Sequence, residues 1–429
     1  MLRYLTQCVP LLYVIGVTGH PDAAVVRLAG GKARLFRSGQ PLVFQGAVQK
    51  VFGNPSPGDV VDVVDGADSL IGWGVFNSRS MYCVRLLVTV GEFSLLGDRD
   101  ISALIHTRIR QAAQRRAVCQ LPSDHTNAYR LVNGEGDRLS GLAVDVFAGI
   151  AVAVSSALWV EKHAQQVCSA LLALPTVDQV VWRRSTARLK QDGWELDIGA
   201  EGSGVDESAG RMGLREGLMI QENGLHYMVE PEGGQKSGFY CDQRENRQAL
   251  ARLCEGRRVL DLFCYSGGFS ISAAAAGASS CLGVDASAAA IDLARQNAEL
   301  NGLSHTCRFQ KADVLAVLRQ TEPASYDVVI CDPPKFAPSV KDLARATPRY
   351  RKLNALVMKS LVPGGIMMTC SCSAAMSQSN TFVKMLQEAA KASQRDISLL
   401  SLSSAACDHV IHPACPESAY LTAALVHVL

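Results

Sequence analysis

The chain has 429 residues, more than one ordinary core of ~100–200 residues accommodates, so two or three domains are expected. With 48% apolar residues, 19% charged residues and a net charge of +2, the composition excludes a disordered or fibrous chain. It also excludes one that holds nucleic acid by bulk positive charge alone. Fourteen cysteines without a single Cys-x-x-Cys spacing exclude a short disulfide scaffold and the usual zinc ribbon, and fit a reducing compartment with mostly buried thiols.

At the N-terminus, Val9 to Val17 is apolar but about half the ~20 residues that a bilayer span needs. No small-residue cleavage pattern closely follows it, and one Arg precedes Asp22, the first acidic residue. Residues 1–22 therefore read as a leader of undetermined type. No other segment reads as transmembrane, and no membrane partner is expected.

From Ala24 to about Val90 the pattern reads as all β with turns. Strands are expected at Val25–Leu28, Ala47–Phe52, Val60–Val64 and Ile71–Phe76, with a tight turn over residues 54–59; such punctuation predicts a small barrel over residues 23–97. From Asp98 to about Ala117 apolar residues at Ile101, Leu104, Ile105 and Ile109 predict a helix. Arg108, Arg110, Arg115 and Arg116 cluster toward its end, either as a solvated face suited to a helix C-terminus or as a phosphate-contacting patch.

Residues 98–213 read as a mixed α/β middle domain ending in a linker. Leu142–Val146 and Ile150–Val154 are expected as paired strands, Trp159–Leu174 as a helix, Asp178–Arg183 as a strand and Gly199–Gly213 as the linker. A hairpin over Leu218–Val229 turns at Asn223-Gly224.

Within residues 214–429 the rhythm becomes strand, helix, strand. Strands are expected at Val259–Leu262, Cys281–Val284, Thr306–Gln310, Val328–Cys331, Gly365–Thr369, Ile397–Leu402 and Leu421–Val428. Helices are expected at Phe269–Ala276, Ala288–Asn301, Val314–Leu318 and Tyr350–Leu361. The alternation predicts a parallel, doubly wound, Rossmann-like sheet.

The first strand of this set runs into Gly267-Gly268 and a helix, and ligands in such folds bind beyond the carboxyl ends of the strands. The turn is not G-x-G-x-x-G and lacks the P-loop lysine, so it does not call for a pyrophosphate. Asp261 precedes the turn and would suit a cationic, amino-bearing cofactor. Asp285 ends the next strand, where a carboxylate can accept from ribose hydroxyls. Asp313 ends the third strand and can face an adenine amino group. Any one of these alone can equally be a helix cap.

The order Asp261, Gly267-Gly268, Asp285, Asp313 and Asp332-Pro-Pro resembles the class I S-adenosylmethionine-dependent methyltransferases. More narrowly, Gln235 to Arg247 (QKSGFYCDQRENR), Asp261 to Phe269 (DLFCYSGGF), Tyr129 to Leu142 (YRLVNGEGDRLSGL) and the ending Asp408-His409, Pro416-Glu417 and Tyr420-Leu421 resemble the bacterial large-subunit ribosomal RNA cytosine-C5 methyltransferase family and its plant relatives. The resemblance implies an N-terminal PUA domain that binds RNA, a middle α/β domain and a C-terminal methyltransferase domain. It implies S-adenosylmethionine as cofactor, contacted by Gln235, Lys236, Phe239, Asp261, Phe263, Tyr265, Ser266, Gly267, Gly268, Asp285, Asp313 and Asp332. It implies RNA, and ribosomal RNA in particular, as partner. Dimeric members make a homodimer an expectation. The plant relatives leave a plastid or mitochondrial interior open beside the cytoplasm.

Cytosine C5 is a poor nucleophile and becomes reactive when a thiolate adds to C6. The resemblance places that thiol in a Ser-Cys-Ser triplet, which is Cys372 here, with Cys370 as competitor two residues away. Both can also be read as buried structural thiols, and no cluster accompanies them that would make a metal site. After Asp332-Pro333-Pro334 stands Lys335 where two-cysteine enzymes carry a second thiol, so their release step does not transfer. Asp332 is a candidate to hold the cytosine amino group or to act as base. Two other readings stay open: guanine N-methylation on a related scaffold, which needs no cysteine, and an RNA-binding assembly factor without activity.

Overall fold

The computed structural model describes residues 24–92, 99–194, 217–229, 238–337, 340–377 and 380–429. The expected leader and the linker Gly199–Gly213 lie outside them, as do Gln235 and Lys236. The chain divides into two compact units between residues 100 and 101.

In the first unit six strands form one sheet: β1 (Ala24–Leu28), β2 (Leu42–Phe44), β3 (Val48–Phe52), β4 (Val60–Val64), β5 (Leu70–Phe76) and β6 (Tyr82–Thr89), in the order β2-β6-β5-β4-β1-β3. Their inward residues, among them Val26, Leu28, Val61, Val63, Ile71 and Val84, enclose a core closed by Phe36. Phe36 belongs to a short helix, α1 (Ala33–Arg37), which corrects the all-β expectation. Five residues are too few to show helical periodicity.

The second unit begins with helix α2 (Ile101–Val118), whose Ile101, Leu104, Ile105 and Ile109 are buried as the spacing predicts. The arginines at its end fit neither expectation as a group. Arg108 and Arg116 are buried; Arg116 makes a two-pronged ion pair with Asp137 at 2.6 and 2.8 Å and donates to the carbonyls of Arg130 and Asp408. A desolvated guanidinium needs such a full set of acceptors.

Next comes a four-stranded sheet, order β10-β9-β8-β7, made of β7 (Ala128–Asn133), β8 (Leu142–Phe147), β9 (Ile150–Ser155) and β10 (Gln179–Arg184). Between β9 and β10 the expected single helix is two, α3 (Leu158–Lys162) and α4 (Ala164–Leu172), broken at His163, whose backbone leaves the helical region. A short helix α5 (Thr186–Gln191) follows β10. The hairpin β11 (Leu218–Glu222) and β12 (Leu225–Val229) turns at Asn223 and Gly224, with φ of 51° and 83°, the positive pair that a type I′ turn demands.

The remaining chain builds a seven-stranded sheet from β13 (Arg258–Leu262), β14 (Ser280–Asp285), β15 (Cys307–Lys311), β16 (Tyr326–Cys331), β17 (Leu361–Ser371), β18 (Ile397–Ser403) and β19 (Thr422–Val428), ordered β15-β14-β13-β16-β17-β19-β18. The run from β15 to β17 is parallel. β19 inserts antiparallel to both neighbours, so the sheet is mixed at one end. Val259, Val328, Ile330, Ile366, Met368 and Cys370 share one core with α7 (Gly268–Ala275) and α8 (Ala288–Leu300). The alternate residues Leu260, Leu262, Val329, Cys331 and Met367 share another with α9 (Val314–Gln320), α10 (Leu343–Ser360) and α12 (Thr381–Ser393). Both faces are covered, as a parallel sheet requires.

Four helices here depart from expectation. α10 starts seven residues before Tyr350 and carries Pro348 inside it. α11 (Ala374–Ser377) and α12 were not foreseen. α6 (Arg244–Ala251) buries Arg244, Asn246 and Arg247 with a single Leu250, so its inward face is polar and gives no hydrophobic period. Among the described residues no helix is long and apolar enough to cross a membrane.

Candidate active site

The chain leaves β13 toward β14 and β15 on one side and returns to β16 and β17 on the other. The crevice beyond the carboxyl ends of β13 and β16 is the switch point where such sheets bind ligands. Three loops meet there: Phe263–Gly267 after β13, Asp332–Ala337 after β16, and Cys372-Ser373 after β17.

The first loop is conformationally unusual. Phe263 and Tyr265 hold φ of 62° and 47°, a left-handed conformation that bulky residues rarely adopt and that concentrates at functional sites. Gly267, at φ 82°, caps α7. A Cβ there would come within 3.0 Å of the Phe309 ring, and one on Gly268 within 3.1 Å of Arg247. The positive φ and the packing against Phe309 therefore call for glycine at 267, and a side chain at 268 would have to displace Arg247. Ser266 is buried beside them, and its carbonyl accepts from Asn297.

The four aspartates divide by environment. Asp261 is 1% exposed and lies beneath the turn, accepting from the Ser270 backbone at 3.0 Å and its hydroxyl at 2.7 Å. Burial pushes its pKa up to about 7 against the pull of those donors, with Asp332 and Asp285 adding to the rise. It fastens α7 rather than lining the crevice. Asp285 accepts from the Tyr265 backbone at 3.1 Å and the Ser287 backbone at 2.9 Å, one bond per oxygen. Each oxygen keeps a lone pair, so the carboxylate can hold the loop and still accept from ribose hydroxyls. Asp313 is exposed and caps α9, accepting from Ala316 at 2.8 Å.

Phe239 and Tyr240 close the crevice from the side. The Tyr265 hydroxyl donates to the Gly238 carbonyl at 3.1 Å, and the Tyr240 and Tyr265 rings meet edge to face, 5.2 Å between centroids. Buried Phe239 stacks under the Arg247 guanidinium at 4.9 Å. Arg247 in turn grips Glu222 of β11 with two bonds of 2.7 Å and donates to the Tyr240 carbonyl at 2.9 Å.

Across the crevice, Cys370 near the end of β17 and Cys372 just beyond it both pack toward the α7–α8 core, as an extended chain with a period of two allows. Their surroundings differ. Cys370 is completely buried, and desolvation, with Asp332 beside it, drives its thiol well above the usual range. Cys372 is partly exposed. The serines beside it are buried and tied down: Ser373 donates to the Ala337 carbonyl at 2.7 Å, and Ser371 reaches the Tyr350 hydroxyl at 3.4 Å. That hydroxyl also accepts from the Phe336 backbone, and the Phe336 ring packs on Tyr350. Tyr350 of α10 thus binds the Asp332 and Cys372 loops into one unit. Burial first, and the charges of Cys372 and Asp332 among lesser causes, raise the pKa values of both Tyr240 and Tyr350. Cys372 and Asp332 therefore lie within electrostatic reach of both tyrosines.

Sequence reasoning passed over Tyr350, and it quoted the motif that holds Gln243 and Asn246 without giving either residue a role of its own. Gln243 Nε2 donates to Asp332 Oδ2 at 3.0 Å. The signal for Gln243 and Asn246 lay in the polar stretch of residues 240–247, which has no hydrophobic period. Cys331, the nearest thiol before Asp332, is fully buried on the other face, with its pKa raised by burial.

Comparison with known proteins agrees with this architecture. Residues 209–400 match the family described as S-adenosylmethionine-dependent methyltransferase, and residues 26–89 match the PUA-like domain. The loop after β13, with Asp285 beside it, fits that cofactor's nucleoside. Two solved structures share the fold at 20% identity, covering 94% of this chain and 99% of theirs. One is SMU.776, classed as a methyltransferase and complexed with SAH (TM-score 0.74); the other is classed as a SAM-dependent methyltransferase from Streptococcus mutans (TM-score 0.75). Proteins named ribosomal RNA large subunit methyltransferase I align nearly end to end. That of Aeromonas hydrophila is 35% identical over 94% of this chain and 99% of its own length, and that of Erwinia tasmaniensis 33% over 92% and 96%. With its PUA-like unit and its S-adenosylmethionine-dependent methyltransferase fold, the chain belongs to the ribosomal RNA large subunit methyltransferase I family.

Proposed function

We propose that this protein methylates C5 of a cytosine in large-subunit ribosomal RNA, with Cys372 as nucleophile and Asp332 as the acceptor for the base's amino group. The observation that carries the proposal is the contrast between two neighbouring thiols at the crevice. Cys370 is sealed and held protonated, whereas Cys372 is accessible between two immobilised serines. Thiolates, not thiols, attack.

The bound cofactor supplies an electrophilic methyl group on a sulfonium. Phe263 to Gly268 and Asp285 would hold its nucleoside, with Asp313 at the adenine end. Gln235 and Lys236 remain candidates for the same task. The Cys372 thiolate adds to C6 and drives the electron pair toward C5, which then takes the methyl. A base removes the C5 proton, the C5–C6 double bond re-forms and the thiolate leaves. Asp332, at the end of β16, accepts the cytosine N4–H and so orients the ring. Cys331 is too deeply buried to serve as a second, releasing thiol, and Lys335 stands where such a thiol would be.

The test compares wild type with Cys372→Ala on unmodified ribosomal RNA, with the modified nucleoside identified by mass spectrometry. The expected outcome is one 5-methylcytosine from wild type and a loss of roughly 10³-fold or more in the variant, the scale of deleting a covalent nucleophile. Full activity in Cys372→Ala, or a methylated guanine as product, would replace this reading with N-methylation. Absence of methyl transfer and of cofactor binding in wild type would leave an assembly factor.

A further inference from the structure

We propose that Gln243 is a positioning residue for the reaction, its amide locked by a one-way relay of hydrogen bonds from Ser403 through Asn246 so that an N–H always points at Asp332. This inference rests on the reading of Asp332 as the group that receives the target base.

An amide side chain can usually present either end to a neighbour. Here the direction is forced. Asn246 Nδ2 lies 3.3 Å from the Ser404 carbonyl, which can only accept, so the nitrogen must face it. The same nitrogen donates to Gln243 Oε1 at 2.6 Å, and Asn246 Oδ1 on the other side accepts from the Ser403 hydroxyl at 2.6 Å. With its oxygen committed to Asn246, Gln243 has only Nε2 left for Asp332, at 3.0 Å. Cys370 lies within hydrogen-bonding reach of the same side chain. Gln243 and Asn246 are 3% and 2% exposed, so water cannot take over either role. The relay begins at the end of edge strand β18 and ends at β16, across three strand positions of the sheet.

A donor on one oxygen favours the ionised carboxylate and fixes its plane. That is what an acceptor of a base N–H needs. Asp332 itself is half-buried. Asp261, Cys331, Cys370, Tyr240 and Tyr350 all feel its charge. Asp261 titrates near 7 and the other four titrate higher, so the difference from wild type, not the profile itself, is the readout.

The test uses the full-length enzyme with ribosomal RNA and S-adenosylmethionine. Gln243→Glu replaces the donor by a second carboxylate, and two facing carboxylates share a proton. At pH 8 its turnover is expected to fall roughly 10- to 100-fold, the loss of one charge-assisted bond, and to recover as pH falls to 6, while wild type does not gain. Asn246→Asp touches neither Asp332 nor the base, yet an acceptor at that position reverses the Gln243 amide. It should lose turnover on the same scale, with the affinity for S-adenosylhomocysteine by calorimetry within about twofold of wild type. A Gln243→Glu profile parallel to wild type, or an Asn246→Asp enzyme of full turnover, overturns the relay. Asp332→Asn is measured alongside. If it is inactive while the two relay variants are silent, the relay alone fails; if it is fully active, the assignment of Asp332 fails first.

Discussion

At the scale of single residues, the same side-chain type does different work according to its depth. Asp261, Asp285, Asp313 and Asp332 all stand at or near strand ends, and the sequence alone does not tell their depths apart. The structure buries Asp261 under Ser270, leaves Asp285 between two loops, and exposes Asp313 as a helix cap. A pH effect follows for Asp261. Its folded pKa of about 7 stands above the ordinary 3.8, so the stability linked to it is complete below 3.8 and is lost as pH rises through 7. Thermal unfolding between pH 5 and 8 should show wild type losing stability relative to Asp261→Asn, which keeps an acceptor for Ser270 without the charge. Parallel curves would contradict this account. The candidate site was legible where short motifs carried it, as with Gly267-Gly268, Asp332-Pro-Pro and the Ser-Cys-Ser triplet. The roles of Tyr350, Gln243 and Asn246 were not legible, although the last two stand in a quoted motif, because what singles them out is the partner each one meets across the fold.

At the scale of elements, hydrophobic period revealed many that bury apolar faces, though not α12, and it missed α6, whose inward face is charged. β4 and the hairpin β11–β12 fall where patterning and the Asn-Gly turn place them. Helix α6 did not announce itself, because Arg247 takes the inward place a leucine usually fills. Its pair with Glu222 is nearly inaccessible, the two side chains 4% and 1% exposed. Removing one partner of such a pair strands the other charge, at a cost of about 3–5 kcal/mol. Glu222→Ala should therefore lower unfolding free energy by that amount in denaturant titration. The double variant Glu222→Leu/Arg247→Met should recover most of it. If the single variant is as stable as wild type, α6 is held by something other than this pair.

At the scale of the whole molecule, the second unit is joined through buried charge far apart in sequence. Asp408 accepts from the Arg130 backbone, from Arg244 and from His409, and its carbonyl accepts from Arg116. Burial alone would raise its pKa, but His409 and Arg244 more than reverse this and hold it well below the usual carboxylate range. A depressed pKa contributes stability above the unfolded value that vanishes as pH falls through the folded one. Asp408→Asn should thus cost about 3–5 kcal/mol at pH 7, and the gap to wild type should close as the solution becomes strongly acidic, read by guanidinium unfolding at several pH values. A gap independent of pH would mean that the ion pairs are not what the variant loses. The amino-acid sequence by itself determined the β-rich N-terminal region, the strand-helix rhythm and the motifs at the strand ends, because these depend on local period and on residues adjacent in the chain. Only the tertiary structure decided which aspartate is buried, which thiol is accessible and which arginines are paired, because burial and pairing are properties of neighbours that the chain brings together from hundreds of residues apart.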